Sequence, residues 1–490
     1  MTDTLKRKTL SSLVWKLLER GGNQVVALLV QIVMARILTP EDFGALAIML
    51  VFTNLANVVV QSGLNTALVQ APKIEPGDYS TVFWLSTGIS IVLAAVISVC
   101  APAIAVFYDN LSLVWPLRAL SLVLIVNAYN SVQVAIVQRE LQFRKVFNAT
   151  IASVLISGAA GVCSALVGCG LWALVVQQLV YPLVNCMVLA LQVPWKPRFE
   201  FRVDRARDLF SFGWKLLVSG LLNSGYNSLS DLIVGKQFSS VSLGYVSQGK
   251  KYPTALGSML DGAIQPVMLS AVSHVQDDLA RVRSLVRRAI KTSTFLVMPA
   301  MTLFAVLAVP IVKVLLGEKW LPCVFFLQVY CFTQAIQPIH TSNLQALNAM
   351  GRSDLFLKLE VIKKAYGVLF LLLGAFVFND IYIMIGSYLI TGVISTLVNA
   401  WPNKSIIGYS YVEQIRDICP SLLLSLGSGA ATYCLAFVIS SDLLLILCSV
   451  ALMGILYIGG ARLFHVEAFE YLIQTAKELF GSRKGTTAND

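Results

Sequence analysis

Six polar side chains follow one face of the first long apolar segment, residues 13–35. They are Lys16, Glu19, Arg20, Asn23, Gln24 and Gln31. Their spacings alternate between three and four residues, so a helix places them on a single face. A Lys, Arg or Asp facing hydrocarbon at the centre of a membrane helix costs about 2.5–3.5 kcal/mol. The stripe therefore predicts a face that points at protein or at water inside a membrane.

Similar stripes recur in later apolar segments and predict one shared interior cavity. The candidates for binding an anionic substrate in that cavity are Arg20, Lys250, Lys251, Lys16, Asn23, Gln24, Asn57, Gln61, Asn223 and Asn227. Arg and Lys bind phosphate through charge-assisted hydrogen bonds, which is why the cations point to an anion. Three carboxylates are predicted to balance charge, carry a proton or bind a sodium ion, and these are Glu19, Asp231 and Asp261.

Each candidate also has a purely structural interpretation. Asn and Gln often form hydrogen bonds between membrane helices, typically for well under about 2 kcal/mol. Lys16 and Lys215 lie near helix ends, where a long side chain can reach the membrane surface, and Asp231 lies near the opposite surface. The polar stripes thus indicate either a cavity or interhelical contacts.

No known catalytic or cofactor motif is found in the sequence. The nine cysteines and three histidines show no metal-ligand spacing, and His340 is the only histidine within an apolar span that merits a test. Phosphate-binding loops, zinc motifs and nucleophile elbows are also missing. We therefore predict no metal, no cofactor other than a coupling H⁺ or Na⁺, and no enzymatic activity.

Composition identifies the chain as an integral membrane protein. It has 490 residues, of which 57% are hydrophobic and 13% charged. A soluble protein has about 25% charged residues. The net charge of +11 does not indicate nucleic acid, because the Lys and Arg residues lie mostly in short loops between apolar segments.

About 20 apolar residues cross a bilayer, and on that criterion we predict fourteen spans. They are residues 13–35, 43–66, 81–107, 113–137, 147–167, 171–193, 209–235, 243–273, 292–316, 322–348, 356–378, 381–401, 418–439 and 442–464. With the N-terminus inside, 24 of the 37 Lys and Arg residues fall in inner segments and 5 in outer ones. This asymmetry predicts that both termini are cytoplasmic. The pattern at 278–290 (DLARVRSLVRRAI) predicts a basic amphipathic segment against anionic lipid of the inner membrane surface.

An internal repeat predicts two related halves. The sequence Trp15-Lys16-Leu17-Leu18 recurs at 214–217, and Phe43-Gly44 matches Leu243-Gly244. Repeats with a site at their interface are typical of transporters. The predicted organisation is a six-helix lobe at 1–193, a cytoplasmic linker at 194–208, a second six-helix lobe at 209–402, a loop with two further helices at 403–464, and a cytoplasmic tail at 465–490.

Several stretches resemble one family of membrane proteins. They are ARILTPEDFGAL at 35–46, LVQAPKIEPGDYSTVFWL at 68–85, VQRELQFRK at 137–145 and LLGEKWLP at 315–322. They resemble Wzx-type polysaccharide exporters of the multidrug/oligosaccharidyl-lipid/polysaccharide flippase superfamily, nearest to the colanic-acid-exporter-like branch. The resemblance covers nearly the whole chain, and its motifs say little about which sugar is carried.

The resemblance implies an all-α polytopic protein with about 14 transmembrane helices, two pseudo-symmetric lobes around a central cavity and two additional C-terminal helices. It implies flipping of a polyprenyl-diphosphate-linked oligosaccharide from the cytoplasmic to the periplasmic leaflet of the bacterial inner membrane. Implied partners are this lipid-linked oligosaccharide and membrane lipids, with polysaccharide polymerase machinery as a further candidate and nucleic acid excluded. In relatives, cationic residues on the first and eighth helices face the cavity. The residues of this chain at the same helix and depth are Arg20 and either Lys250 or Lys251.

Two other functions are weighed against this one. A multidrug exporter of the same superfamily should carry acidic and aromatic residues for cationic drugs, whereas this chain carries a basic cluster. A membrane glycan polymerase or glycosyltransferase needs a nucleotide-sugar domain or a large outer loop. The predicted outer connections are as short as TPED at 39–42 and ND at 379–380, which argues against the enzyme.

Overall fold

Helices make up nearly all of the chain in the computed structural model, which describes residues 22–61, 64–71, 74–474 and 477. Within those ranges the chain forms no β-strand, so the predicted all-α fold is confirmed. The helices up to residue 192 are α1 (Gly22–Ile37), α2 (Pro40–Gln61), α3 (Leu64–Gln70), α4 (Pro76–Phe107), α5 (Val114–Ser121), α6 (Val123–Arg139), α7 (Phe143–Leu166) and α8 (Leu171–Gln192).

The later helices follow with short connections. They are α9 (Val203–Gln237), α10 (Ser240–Ser273), α11 (Leu279–Val306), α12 (Ala308–Leu315), α13 (Val324–Ala349), α14 (Ser353–Leu372), α15 (Ile381–Ile406), α16 (Tyr411–Cys434) and α17 (Asp442–Leu463). A final short helix, α18, occupies residues 467–474.

Nine helical stretches of the described chain are long and apolar enough to cross a membrane. They are α2, α4, the stretch Leu111–Arg139 that contains α5 and α6, α7, α8, α11, α15, α16 and α17. Four more helices, α9, α10, α13 and α14, have 20 residues or more but carry the polar stripes that lower their hydropathy. The protein is thus a multi-pass membrane protein, and the total of fourteen spans remains a prediction.

The chain divides into two compact units, residues 1–247 and 248–490. In the first unit α7 packs along α8, and a buried apolar cluster joins α3, α6, α7 and α8 through Leu68, Val132, Ala149 and Leu189. Lipid tails are as apolar as these side chains, so close packing rather than the hydrophobic effect holds such helices together. The sequence predicted a linker at 194–208, which differs from the boundary between these two units. That linker remains a prediction.

Residues 194–208 are fastened to the beginning of α4. The Trp84 indole N–H donates to the carbonyl oxygen of Arg198 at 2.8 Å, and the Trp84 ring stacks on Phe199. Arg205 donates to both carboxylate oxygens of Asp78, at 3.1 and 2.8 Å, and the Asp78 side chain is fully buried. The segment therefore has a fixed path along the first unit.

The first turns of α2 and α10 cross at very short distance. A Cβ atom added to Gly44 would lie 1.6 Å from the carbonyl oxygen of Ser240, and one added to Gly244 would lie 1.9 Å from that of Pro40. Small residues permit such close approach of helix backbones. Gly44 and Gly244 are the positions that the sequence repeat pairs with each other.

The second unit is built around α11, α13 and α16. Val282, Val286 and Ile290 recur every four residues on α11 and are completely buried, which fits the amphipathic pattern predicted for this segment. Its polar face differs from the prediction, because Arg283 pairs with Glu413 and Arg287 with Asp417 on α16. The basic face is thus partly neutralised by protein rather than left entirely to lipid.

Candidate functional site

The described part of the α1 stripe is mostly buried and only partly paired. Gln31 donates its side-chain amide to Gln177 Oε1 on α8 at 3.3 Å. Asn23 is 8% exposed, and neither of its side-chain polar atoms has a hydrogen-bond partner in the described chain. Gln24 is half-buried. An unpaired buried polar group costs about 1–3 kcal/mol, and Asn23 remains a predicted site residue.

On α2, the stripe makes one direct contact with α6. Asn127 Nδ2 donates to Asn57 Oδ1 at 2.8 Å, with Asn57 half-buried. Gln61, one turn further along α2, is also half-buried. Asn57 therefore takes part in an interhelical hydrogen bond, as its structural interpretation predicts. The side-chain N–H groups of Asn57 and the amide of Gln61 remain candidates for binding a ligand.

The polar stripe of α9 is the most accessible one. Asn223 and Asn227 are exposed and stand four residues apart, and Asp231 continues the same line as a half-buried residue. Near the end of α9, Lys236 donates to Asp109 at 3.0 Å and lies over the ring of Phe107. Lys236 thus binds within the first unit, whereas Asn223 and Asn227 present amides to the surroundings.

On α10, three polar groups share one helical face without satisfied contacts. Lys251 is half-buried and has no hydrogen bond or ion pair within the described residues. Gln248 and Tyr252 stand three residues before and one after it, are 1% and 6% exposed, and leave Gln248 Oε1 and the Tyr252 hydroxyl unpaired. Positions i, i+3 and i+4 fall on one face of a helix. This face carries a cation, an acceptor and a hydroxyl whose hydrogen-bonding capacity the described chain does not use.

Sequence reasoning missed Gln248 and Tyr252 in this group. The signal was available, because both lie at helical spacing from Lys251, but a lone Gln and a lone Tyr do not stand out in an apolar segment. Lys250, the other predicted cation of α10, is half-buried and forms a contact of its own.

Several predicted residues lie outside the described part of the chain. Lys16, Glu19 and Arg20 precede residue 22. Lys215 and Asp261 lie within α9 and α10, but their side chains are outside the description. The convergence of α1 and α10 cations on one chamber therefore remains a prediction. Among the described residues, no group of three or more His, Cys, Asp or Glu side chains could hold a metal ion.

A second polar network lies in the second unit and was largely missed by sequence reasoning. Asn343 Nδ2 donates to Gln414 Oε1 at 3.0 Å, and Asn403 Nδ2 donates to Asn343 Oδ1 at 2.6 Å. His340, which the sequence singled out, lies one turn before Asn343 and has its Nδ1 2.8 Å from Asn399 Nδ2. The helical spacing of Asn399 and Asn403 was the available signal. Each of these amides bonds at least one neighbour, so the network joins α13, α15 and α16. Asn399 Oδ1, Asn403 Oδ1 and Gln414 Nε2 have no partner within the described chain.

Charged groups near the helix ends are mostly paired. Lys363 forms an i, i+3 ion pair with Glu360 on α14, in line with a structural role. Arg202, at the start of α9, binds Glu75 and Glu200, and these hydrogen bonds raise the pKa of its guanidinium. Such paired charges stabilise the fold and leave Lys251 as the clearer candidate for contact with an anion.

Comparison of the sequence with known proteins finds a family match and several relatives. The polysaccharide biosynthesis protein family matches residues 33–325. The chain is 24% identical over 447 residues to the lipopolysaccharide biosynthesis protein WzxC of Escherichia coli K12, with 90% of each chain covered. It is 22% identical over 384 residues to the teichuronic acid biosynthesis protein TuaB of Bacillus subtilis 168, with 78% of this chain and 79% of the relative covered.

Two solved structures share the fold. The lipid II flippase MurJ in an inward closed conformation matches with a TM-score of 0.77 at 12% identity, covering 93% of this chain and 99% of MurJ. An inward-facing multidrug resistance MATE family transporter of the MOP superfamily matches with a TM-score of 0.60 at 15% identity, covering 79% of this chain and 96% of the transporter. Both likenesses concern the helical architecture.

Proposed function

The chain belongs to the polysaccharide biosynthesis protein family, and from that premise we propose that it is a flippase for a polyprenyl-diphosphate-linked oligosaccharide. The observation that carries this proposal is the family match over residues 33–325, extended by similarity to WzxC over 90% of both chains. Its relatives and structural neighbours are transporters and flippases rather than enzymes. The proposed location is the bacterial inner membrane, with both termini cytoplasmic.

A flippase is physically necessary for such a substrate. Moving an ion of carboxylate size from water into an apolar medium costs about 20 kcal/mol by an idealised estimate. A diphosphate with attached sugars therefore needs a polar route between the leaflets. The polar stripes of α1, α2, α9 and α10 supply hydrogen-bonding groups within membrane-length helices, which supports this route.

We assign the diphosphate to the cations and the sugars to the amides. Arg20, Lys250 and Lys251 are the proposed diphosphate ligands, and the unpaired face of Gln248, Lys251 and Tyr252 supports the assignment. The sugars contact Asn and Gln side chains of α2, α9 and α10, among them the exposed Asn223 and Asn227. The lipid tail stays in the bilayer, reaching the chamber through a gap between the proposed lobes.

Transport proceeds by alternating access in this proposal. The lobes at 1–193 and 209–402 rock against each other around a fixed substrate site, as in other transporters built from repeats. A gradient of H⁺ or Na⁺ drives the cycle, and Glu19, Asp231 and Asp261 are the proposed coupling or charge-balancing carboxylates. The sequence distribution of Lys and Arg supports an orientation with both termini cytoplasmic, and the proposed direction of transport is from the cytoplasmic to the periplasmic leaflet.

The proposal is tested with the purified chain in proteoliposomes. A fluorescent polyprenyl-diphosphate oligosaccharide is placed in the inner leaflet, and its appearance outside is followed with a glycosidase that cannot cross the membrane. We expect protein-dependent transfer and none in protein-free liposomes. A polyprenyl monophosphate without sugar serves as a second cargo and should be transferred more slowly.

A cationic dye distinguishes the competing function in the same vesicles. Transport of ethidium without transfer of the oligosaccharide lipid would establish a multidrug exporter and refute the flippase. Transfer of neither cargo under both an H⁺ and a Na⁺ gradient would also contradict the proposal.

A further inference from the structure

Two adjoining cavities lie at the ends of α11, α16 and α17 in the second unit. The larger has a volume of about 560 Å³ and the smaller about 320 Å³. Arg287, Lys291 and Glu467 line both cavities, so they form one continuous recess. The beginning of α11, the beginning of α16 and the end of α17 meet here. On the orientation proposed above, this recess opens at the inner membrane surface.

The recess is strongly basic. Its cationic lining residues are Arg283, Arg287, Arg288, Lys291 and Arg416. Only two carboxylates, Asp417 and Glu467, line it. His465 at the rim forms a contact with Glu470 instead. The uncompensated positive charge favours an anionic occupant.

A buried carboxylate holds two of the cations in place. Asp417 accepts hydrogen bonds from Arg287 Nε at 2.7 Å, Arg287 Nη2 at 2.8 Å and the Tyr409 hydroxyl at 2.8 Å. Lys291 Nζ lies 3.2 Å from the same carboxylate, whose side chain is 4% exposed. Lys291 also pairs with Glu467, so two carboxylates match the two cations in a preorganised floor of the recess.

Two further arginines supply donors that this scaffold does not use. Arg416 is exposed, lines the larger cavity and has no side-chain hydrogen bond or ion pair within the described chain. Arg288 lines the smaller cavity, and its guanidinium lies 4.6 Å from the centre of the Tyr471 ring on α18. Stacking on the ring leaves the N–H groups at the guanidinium edge able to bind an anion.

Apolar side chains flank the recess where a lipid tail would lie. Phe464 lines the larger cavity and is 71% exposed, and its neighbour Leu463 is 73% exposed. Both follow directly from the membrane-length helix α17. A free anion would make no favourable contact with these apolar side chains. A phospholipid would, because its acyl chains lie beside its phosphate.

We propose that this recess binds the headgroup of an anionic phospholipid from the inner leaflet, with Arg416 and Arg288 as its phosphate ligands. Basic pockets between membrane helices on this side are suited to headgroups with phosphate charge. Because two basic cavities adjoin, a lipid with two phosphates, cardiolipin, fits better than one with a single phosphate. The proposal is independent of the transported substrate and uses only the proposed orientation.

The experiment measures lipid binding by native mass spectrometry on the purified full chain. Cardiolipin, phosphatidylglycerol and phosphatidylcholine are titrated separately, and inorganic phosphate and pyrophosphate serve as free-anion competitors. We expect cardiolipin to bind more tightly than phosphatidylglycerol, and phosphatidylcholine to bind weakest. The double variant Arg288→Ala/Arg416→Ala should lower the cardiolipin affinity by about tenfold or more, because charge-assisted hydrogen bonds are lost.

A matched double variant controls for the loss of two charges. Arg281→Ala/Lys404→Ala removes two exposed cations that line neither cavity and should leave the affinity unchanged. Equal losses in both double variants would overturn the site, since only overall charge would then matter. Displacement of the lipid by millimolar phosphate or pyrophosphate would assign the recess to a free anion and refute the lipid.

Discussion

At the scale of single residues, Asn343 joins three helices through one side-chain amide. It is fully buried on α13, donates to Gln414 on α16 and accepts from Asn403 on α15. Asn343→Leu removes both bonds and leaves two buried amides with one partner fewer. We expect a lower thermal unfolding midpoint in detergent, for a cost of about 1–3 kcal/mol.

The control for this prediction is Asn54→Leu on α2. Asn54 is exposed and makes no hydrogen bond within the described residues, so the same change should leave the midpoint nearly unaltered. An equal effect of both substitutions would show that the Asn343 network contributes nothing specific.

The same residues show what periodicity can and cannot predict. Spacing of three and four residues identified Gln31 and Asn57 as polar positions on a helical face. It could not identify Gln177 and Asn127 as their partners, because pairing depends on which helices meet in space. For the same reason Gln248 and Tyr252 gained significance only once their burial was known.

At the scale of helices, the crossing of α2 and α10 depends on two glycines. Gly44→Ala would place a Cβ atom 1.6 Å from a backbone oxygen, which no side-chain movement can relieve. We expect this variant to force the helix starts apart and to lower the thermal unfolding midpoint by several degrees. The measurement is thermal unfolding of the purified protein in detergent.

Gly88 offers a matched control within a helix of the same unit. An added Cβ there meets no atom within 4 Å, and alanine is the better helix former by about 1 kcal/mol. Gly88→Ala should therefore keep or raise the midpoint. A Gly44→Ala protein as stable as Gly88→Ala would contradict the close crossing.

A third prediction concerns the segment at 194–208, which the sequence predicted only as a linker. Asp78→Ala replaces the buried carboxylate that binds Arg205 by a methyl group, which removes both hydrogen bonds to the guanidinium. We expect faster trypsin cleavage after Arg198, Arg202 or Arg205. The control Glu41→Ala changes an exposed carboxylate on α2 and should leave the cleavage rate unchanged.

Unchanged cleavage in Asp78→Ala would contradict this role of Asp78 and leave the attachment to the other contacts, which involve Trp84, Ser80 and Thr81. The sequence predicted a linker here because prolines and charges interrupt an apolar chain, and its role as a linker between lobes remains a prediction. It could not reveal the attachment to α4, since Asp78 and Arg205 are 127 positions apart.

At the scale of the whole molecule, composition was the most informative property of the sequence. Hydrophobic runs of membrane length predicted an all-helical membrane protein, and the described helices and the fold shared with MurJ bear this out. The number of spans was harder to fix, because the helices with polar stripes, such as α9 and α10, have the weakest hydropathy. The proposed function accounts for that ambiguity, since a polar route requires polar helices.

The central claim of this account is that a membrane-embedded cation on α10 receives the substrate diphosphate. It is tested by the initial rate of oligosaccharide-lipid transfer in proteoliposomes for Lys251→Ala, Lys251→Arg and the exposed control Lys358→Ala, each at equal protein density. We predict a rate at least about tenfold lower for Lys251→Ala, because a charge-assisted hydrogen bond contributes about 1.5–3 kcal/mol. Lys251→Arg should keep most of the rate and Lys358→Ala all of it, whereas an unchanged rate in Lys251→Ala would contradict the claim.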